Sequence, residues 1–229
     1  MDNRKIYGIC IDTETTNGIV DADGKLDLSN SLFFDVGFQV IDSHGRTYGK
    51  TYSFINSDIF VDEPELMQEA FFADKIPQYK ADLQNGTRTL ATTTEIQKIL
   101  CEVIAEYGCQ FIVAHNAYFD YRALNNALRW VTKSKQRYFV PKSVEWWDTL
   151  KMARSVMSKM PTYKAFCQKH GYTTKNGQLR FTAEICYRFI SNNLDFVESH
   201  TGLEDVKIET EILRYCHRQH KPMNRTLWA

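Results

Sequence analysis

The apolar residues of this chain fall into short strand-like runs and longer helical repeats. Residues 5–12 are almost continuously apolar, which is typical of a central strand covered on both faces. Two segments rich in Phe, Val, Tyr and Thr follow at 31–41 and 46–54. The turn residues at 42–45 separate them, so this pair predicts a β-hairpin.

The remainder of the chain predicts helices that alternate with short strands. Short helices are expected at 64–73 and 76–83, followed by a helix at 94–107, a strand at 111–114, a helix at 118–131, a strand at 144–147, a helix at 149–157 and a last helix ending at 218. This order predicts an α/β fold with a five-stranded mixed sheet flanked by helices. No repeat or linker divides the sequence, so we expect a single domain over 1–229 with a helical insertion at about 160–198.

Composition and charge narrow the class of protein. The chain is 43% hydrophobic and 24% charged, which is typical of a soluble globular protein. Its apolar runs are far shorter than a membrane span needs, and residues 1–5 lead straight into a strand without a signal-peptide core. We therefore expect a cytoplasmic protein without membrane association. The six cysteines include no C-x-x-C pair and are expected to be reduced, and the net charge of zero neither favours nor excludes a nuclease.

Two carboxylates lie at the end of the first predicted strand. Asp12 and Glu14 are two residues apart, so both side chains project from one face while Thr13 points away. Two neighbouring carboxylates repel each other, and a divalent cation would relieve that repulsion. The D-x-E pair is weak by itself, because roughly one arises by chance in a chain of this length.

A second acidic segment follows the strand at 111–114. Asn116 is expected as the N-cap of the next helix, which places Asp120 in its first or second turn. A carboxylate in that position is stabilised by the helix dipole and faces the end of the sheet.

The third segment lies just before the last helix. Thr201 and Glu204 fit a capping box, so the helix is expected to begin at about Gly202, with Asp205 in its first turn. His200 precedes the helix on a loop, and a histidine titrates near neutrality, as a general base requires. His115 and Asp120 have the same H-x-x-x-x-D spacing, so the order of the motifs must decide between the two histidines.

Taken together, the three segments resemble the exonuclease motifs of the DEDDh family, over most of the chain from Ile6 to about Leu213. Trp147-Asp148-Thr149-Leu150 resembles a further family pattern. The resemblance implies an RNase H-like fold and 3′–5′ exonuclease activity. The implied metal ligands are Asp12, Glu14, Asp120 and Asp205, with His200 as the general base. Gly202 departs from the Ala of many relatives, which weakens the first helical turn slightly but removes no chemistry, and the role of 163–198 stays open.

The donor set indicates the cofactor. Four carboxylates favour hard cations, so two Mg²⁺ or Mn²⁺ ions are expected, one activating a water and the other stabilising the leaving 3′ oxygen. The residues expected to contact the strand end are Thr13, Thr15, Thr16, Asn116, Tyr118 and Phe119. In the family the Phe of the second motif contacts terminal nucleotides, whereas core packing is the favoured interpretation of Tyr118.

The motifs are compatible with more than one function. The expected substrate is the 3′ end of single-stranded nucleic acid, with DNA favoured slightly over RNA. An RNA-trimming enzyme similar to RNase T or oligoribonuclease would use the same acids, since discrimination depends on contacts to the 2′-OH. A non-catalytic nucleic-acid-binding domain and a phosphodiesterase for small esters are also compatible with the sequence. A homodimer and a non-covalent association with a polymerase are further expectations.

Overall fold

The strands and helices follow the predicted order in the computed structural model of the chain, which describes residues 5–16, 19–20, 26–27, 30–70 and 73–228. Within these residues the strands are β1 (Tyr7–Thr15), β2 (Ile19–Val20), β3 (Leu26–Asp27), β4 (Phe33–Asp42), β5 (Thr47–Asn56), β6 (Thr89–Ala91), β7 (Phe111–Ala114) and β8 (Glu145–Asp148). The helices are α1 (Ser57–Phe60), α2 (Pro64–Gln68), α3 (Ile76–Gln84), α4 (Thr93–Tyr107), α5 (Tyr118–Thr132), α6 (Thr149–Met157), α7 (Pro161–Lys169), α8 (Ala183–Ser191) and α9 (Gly202–Arg218). A 3-10 turn spans Ala73–Lys75.

The main sheet is mixed and has the strand order β6-β5-β4-β1-β7-β8. β1 pairs antiparallel with β4 and parallel with β7, so it lies in the middle of the sheet. This position explains why residues 5–12 are almost continuously apolar. The mixed sheet is confirmed, but the expected number of five strands was one too low.

The additional strand is β6, which pairs parallel with the end of β5. It is only three residues long, and its sequence Thr89-Leu90-Ala91 is too short to display an alternating pattern. Pairing with β5, rather than local sequence, makes this segment a strand.

Alternate residues of β1 pack into two different layers. Ile9 and Ile11 contact the core formed with α4 and α5, whereas Cys10 is buried in the core formed with α6, α8 and α9. Asp12 and Glu14 have the same parity as Cys10, so they project toward the α9 layer. The strand therefore fixes which layer can complete a site around these two acids.

The segment expected as a helical insertion contains α7 and α8. Between these helices the chain forms a short turn in which Thr173 pairs with Leu179. No helix in the described ranges is both long and apolar enough to cross a membrane. The assignment of a single domain over 1–229 stays a prediction.

Two glycines allow the start of α9 to lie directly on β4. A Cβ atom at Gly202 would lie 2.6 Å from the backbone nitrogen of Gly37 and 2.9 Å from the backbone carbonyl oxygen of Asp12. A Cβ atom at Gly37 would overlap the Gly202 carbonyl group. Gly202 therefore has a packing role in addition to its weak helix propensity, because the two backbones can approach this closely only where neither residue has a side chain.

A buried ion pair also fixes this contact. Asp35 on β4 accepts a hydrogen bond from the Gly202 N–H at 3.1 Å, and its other oxygen pairs with Arg88 at 2.5 Å. Burial raises the pKa of Asp35 to about 6, although Arg88 opposes the rise. The first turn of α9 is thus attached to the sheet through its backbone.

We expect Gly37→Ala and Gly202→Ala each to lower the free energy of unfolding by about 1–3 kcal/mol, because the added methyl group must push backbone apart. Since both substitutions separate the same pair of elements, the double variant should be less destabilised than the sum of the two, by about 1 kcal/mol or more. Urea denaturation of the three variants measures this. Strictly additive losses would contradict a direct contact between the two glycines.

Candidate active site

The end of β1 presents an unpartnered ligand atom. Asp12 Oδ2 is buried, and none of the described residues forms a hydrogen bond with it. Glu14 lies two residues further along the strand and is 9% exposed. A buried carboxylate oxygen without a donor is unfavourable, and a cation or a proton would satisfy it.

Asp120 joins these two acids from the first turn of α5, as expected. One of its oxygens accepts hydrogen bonds from the Thr13 N–H at 3.1 Å and from the Thr13 hydroxyl at 2.8 Å. Thr13 therefore lies against α5, and both of its donors hold Asp120 in place. The proposed contact of Thr13 with substrate has no donor left to support it.

The prediction that Asn116 caps α5 is wrong. The N-cap residue is Ala117, and Asn116 adopts a left-handed conformation with φ of 65°. Its N–H donates to Asp148 Oδ1 at 3.1 Å, and the same oxygen also caps α6 by accepting the Leu150 N–H at 2.8 Å. The sharp turn between β7 and α5 is thus stabilised by a neighbouring strand rather than by a local cap.

Asp205 approaches from the opposite side, in the first turn of α9. The helix begins at Gly202, as predicted, but the expected capping box is absent at this helix start. The Thr201 N–H donates to Asp205 Oδ2 at 3.1 Å, and the Thr201 hydroxyl donates to the Glu204 carboxylate. Asp205 therefore accepts the hydrogen bond from the Thr201 N–H that Glu204 would accept in a capping box.

Three of the expected residues form a group suited to a metal ion. One ligand atom from each of Glu14, His200 and Asp205 lies within 4.8 Å of the others. His200 is half-buried on the loop before α9 and has a left-handed φ of 50°. The structure therefore brings the first and third sequence motifs together, and Asp120 interacts electrostatically with Asp12 in the same cluster.

The other candidate histidine is engaged within the protein. His115 Nδ1 lies 2.9 Å from the Thr149 hydroxyl, and Nε2 lies 2.8 Å from the Phe181 carbonyl oxygen. Burial lowers the pKa of His115, so the ring is neutral near pH 7. With both nitrogens occupied, His115 connects β7 to α6 and to residue 181, and it cannot accept a proton from water without breaking a contact.

Sequence reasoning missed Glu209, a fifth buried carboxyl in this cluster. It follows Asp205 by four residues, so both project from the same face of α9. One carboxylate oxygen of Glu209 accepts a hydrogen bond from the backbone N–H of His115 at 2.8 Å, and the other lies 3.7 Å from Cys10 Sγ. Helical spacing from Asp205 was the available signal.

Lys75 was also missed. Its ammonium group donates to the carbonyl oxygens of Ser199 and His200, the latter at 3.0 Å. Lys75 lies in the 3-10 turn before α3, 125 residues away from His200, so no local pattern links them. It attaches the loop that carries His200 to the rest of the molecule.

The clustered acids raise one another's pKa. Burial is the largest cause, and it raises the pKa of Glu14 to about 9, of Asp205 to about 8 and of Asp120 to about 7. The pKa of Asp12 is also raised, by burial and then by Glu209. Neighbouring negative charges add to the effect, as for Glu14 beside Asp205. A bound cation would favour the ionised forms.

The remaining expected contacts lie at the edges of this cluster. The Thr16 N–H donates to the Leu32 oxygen at 2.9 Å, so it is engaged within the protein, while Thr15 is largely buried at the irregular end of β1. Tyr118 is 48% exposed, which contradicts a core position, and Phe119 is partly buried. Trp146 and Trp147 are both buried.

Comparison with solved structures identifies the fold, whereas the sequence comparisons find no match. No protein-family profile matches the sequence, and no curated protein matches it. The nuclease domain of 3′hExo, a DEDDh family member solved with rAMP, has a TM-score of 0.59 and 12% identity, covering 99% of this chain and 100% of that one. The chain has the fold of DEDDh exonucleases.

Two further structures agree with this fold. Escherichia coli exonuclease I in complex with a dA16 oligonucleotide has a TM-score of 0.56 and 12% identity over 95% of this chain. Exonuclease I from Methylocaldum szegediense has a TM-score of 0.54 and 12% identity over 95% of this chain. The matched region spans 41% of the length of each of these enzymes. The expected RNase H-like architecture is confirmed.

We expect the metal-free protein to lose stability as pH rises from 6.5 to 8.5. The folded-state pKa values of Glu14, Asp120 and Asp205 are raised to about 9, 7 and 8, so their contribution is full below about pH 4, falls as the pH rises and is lost completely once the pH exceeds the folded-state value. The slope is about 1.4 kcal/mol per pH unit for each carboxyl that is still protonated in the folded state and already ionised in the unfolded state. Urea denaturation with EDTA measures it, and Asp205→Asn should flatten the curve. A stability that stays level or rises over this range would contradict the clustering of charge.

Proposed function

We propose that this chain is a metal-dependent DEDDh 3′–5′ exonuclease that removes nucleotides from single-stranded nucleic acid. The observation that carries the proposal is the convergence of carboxylates from three separate sequence motifs at one sheet edge, beside a histidine on a loop. The fold supports the same interpretation but is compatible with other activities. A non-catalytic domain would have no need to bury so many acids together.

The residues fit hard divalent cations. Asp12, Glu14, Asp120 and Asp205 would hold them, and the partnerless Asp12 Oδ2 offers an unsatisfied oxygen. Burial raises the pKa of the nearby Cys10 thiol, which therefore stays protonated and is a poor ligand for soft metals. A pair of Mg²⁺ or Mn²⁺ ions, when bound, would supply an activated water and charge stabilisation for the leaving 3′ oxygen.

His200 would accept the proton of the attacking water. Burial, and then the charge of Lys75, lowers its pKa, so the imidazole is neutral and able to accept a proton at neutral pH. Lys75 holds the main chain of the same loop. The backbone from which the ring projects is thereby held in place.

The slight preference for DNA over RNA stays a prediction, because the motifs are the same for both substrates. The similar structures include one protein solved with rAMP and another solved with a dA16 oligonucleotide, so they favour neither sugar. Tyr118 and Phe119, next to Asp120, would stack on terminal bases, which tolerates any sequence. A homodimer and an association with a polymerase stay predictions.

Single-stranded DNA and RNA oligonucleotides labelled at the 5′ or the 3′ end test the proposal. With Mg²⁺ or Mn²⁺, 5′-labelled substrate should shorten stepwise and 3′-labelled substrate should release a labelled mononucleotide, whereas EDTA should abolish both. Faster degradation of RNA would select the RNA-trimming function. Asp12→Ala and Asp205→Ala should be inactive, while Asp62→Ala, an exposed acid outside the cluster, should match wild type. Endonucleolytic products, or full activity with EDTA, would refute the proposal.

His200→Ala should lower kcat by about 10²–10⁴-fold because proton transfer is lost, and it should leave oligonucleotide binding intact. Lys75→Met should lower kcat less, and Lys75→Arg should restore part of it, because a cation can again hold the loop. His220→Ala, an exposed histidine near the end of the chain, serves as the control. Steady-state kinetics separate kcat from KM. A purely KM effect in the Lys75 variants would contradict a positioning role.

A further inference from the structure

A groove opens directly beside the acidic cluster. It has a volume of about 650 Å³ and lies between α6 and residues 174–183, and we call it the α6 groove. Asp12 and Glu209 form part of its lining, so it is continuous with the cluster. Its volume falls in the range of pockets that bind small ligands, about 300–1,000 Å³, and suits a short stretch of single strand better than a duplex.

Two arginines line the α6 groove. Arg154 lies on α6, and Arg180 belongs to the segment 174–183. Both are exposed, and neither guanidinium forms an ion pair or hydrogen bond within the described ranges. Two unpaired guanidiniums beside a cluster of carboxylates create a cationic entrance to an otherwise acidic site.

The backbone that carries Arg180 is held firmly. The Arg180 N–H donates to the Tyr172 oxygen at 3.1 Å, and the Arg180 oxygen accepts the Tyr163 hydroxyl at 2.6 Å. The neighbouring Phe181 carbonyl accepts from His115 at 2.8 Å. The wall of the groove is therefore tied to the end of β7, which also leads to the acidic cluster, so the backbone of Arg180 is fixed relative to the cluster.

We propose that the α6 groove binds the nucleotides on the 5′ side of the scissile bond, with Arg154 and Arg180 contacting their phosphates. This rests on the proposed function. An enzyme that removes one nucleotide at a time holds a single nucleotide on the 3′ side, so additional phosphates exist only on the 5′ side. Arginine matches phosphate oxygens through paired hydrogen bonds, which unpaired guanidiniums are free to form. The segment 163–198, whose role the sequence left open, then supplies part of the strand-binding surface.

The test compares two substrates for each variant. Thymidine 5′-(p-nitrophenyl phosphate) presents one nucleotide and the scissile phosphate but nothing on the 5′ side, whereas a dT10 strand presents further phosphates. Arg154→Ala and Arg180→Ala should each lower kcat/KM for dT10 by about tenfold, mainly through KM, and leave the small ester unchanged. The slope of log KM for dT10 against the logarithm of the salt concentration should fall by about 0.7 for each arginine removed.

Three further variants control for charge and for general damage. Arg154→Lys and Arg180→Lys should recover part of the loss, since the charge returns without the paired geometry. Arg218→Ala removes an exposed arginine at the other end of α9, about 20 Å along the helix from Asp205, and should match wild type on both substrates. Equal losses on both substrates, or no loss on dT10, would overturn the proposal.

Failure of the proposed function would be recognised separately, because the wild-type protein would then hydrolyse neither of these substrates nor an RNA oligonucleotide with either metal. In that case the role of the groove is tested by the binding of 5′-fluorescein-dT10 in EDTA. Fluorescence anisotropy measures this binding for the wild type and for both alanine variants. Weaker binding by about tenfold in the two alanine variants would support strand binding by the groove without catalysis. Unchanged binding would refute it.

Discussion

Mutual repulsion among buried carboxyl groups is the constraint on which the rest of this structure depends. Asp12, Glu14, Asp120, Asp205 and Glu209 raise one another's pKa after burial has already raised it. Such a cluster costs stability unless protons or cations neutralise it. A cation bound among these carboxylates would offset that cost.

The surrounding structure holds three of the five acids against that repulsion, each through a hydrogen bond from another residue. Thr13 on β1 holds Asp120 of α5, the Thr201 N–H holds Asp205, and the His115 N–H holds Glu209. The contact between Gly37 and Gly202 brings α9 close enough for its acids to join those of β1. Position in the cluster is thus set by backbone donors and by close packing, neither of which depends on the net charge of the chain.

The sequence predicted those parts of the site that follow from local periodicity. Alternation along β1 places Asp12 and Glu14 on one face, and the helix starts place Asp120 and Asp205 in first turns. Lys75 could not be found this way, since it meets His200 across 125 positions of sequence. The strand β6 and the turn at Asn116 likewise depend on neighbouring strands. These three features are determined by long-range contacts, which local sequence patterns do not reveal.

The most direct test of this account is the anomalous diffraction of crystals soaked in Mn²⁺. We expect two Mn²⁺ peaks at the edge of the sheet, with oxygen ligands drawn from Asp12, Glu14, Asp120 and Asp205. Crystals of Asp12→Asn should lose at least one peak. Electron density without Mn²⁺ among these carboxylates, or Mn²⁺ bound only elsewhere on the protein, would contradict the central claim.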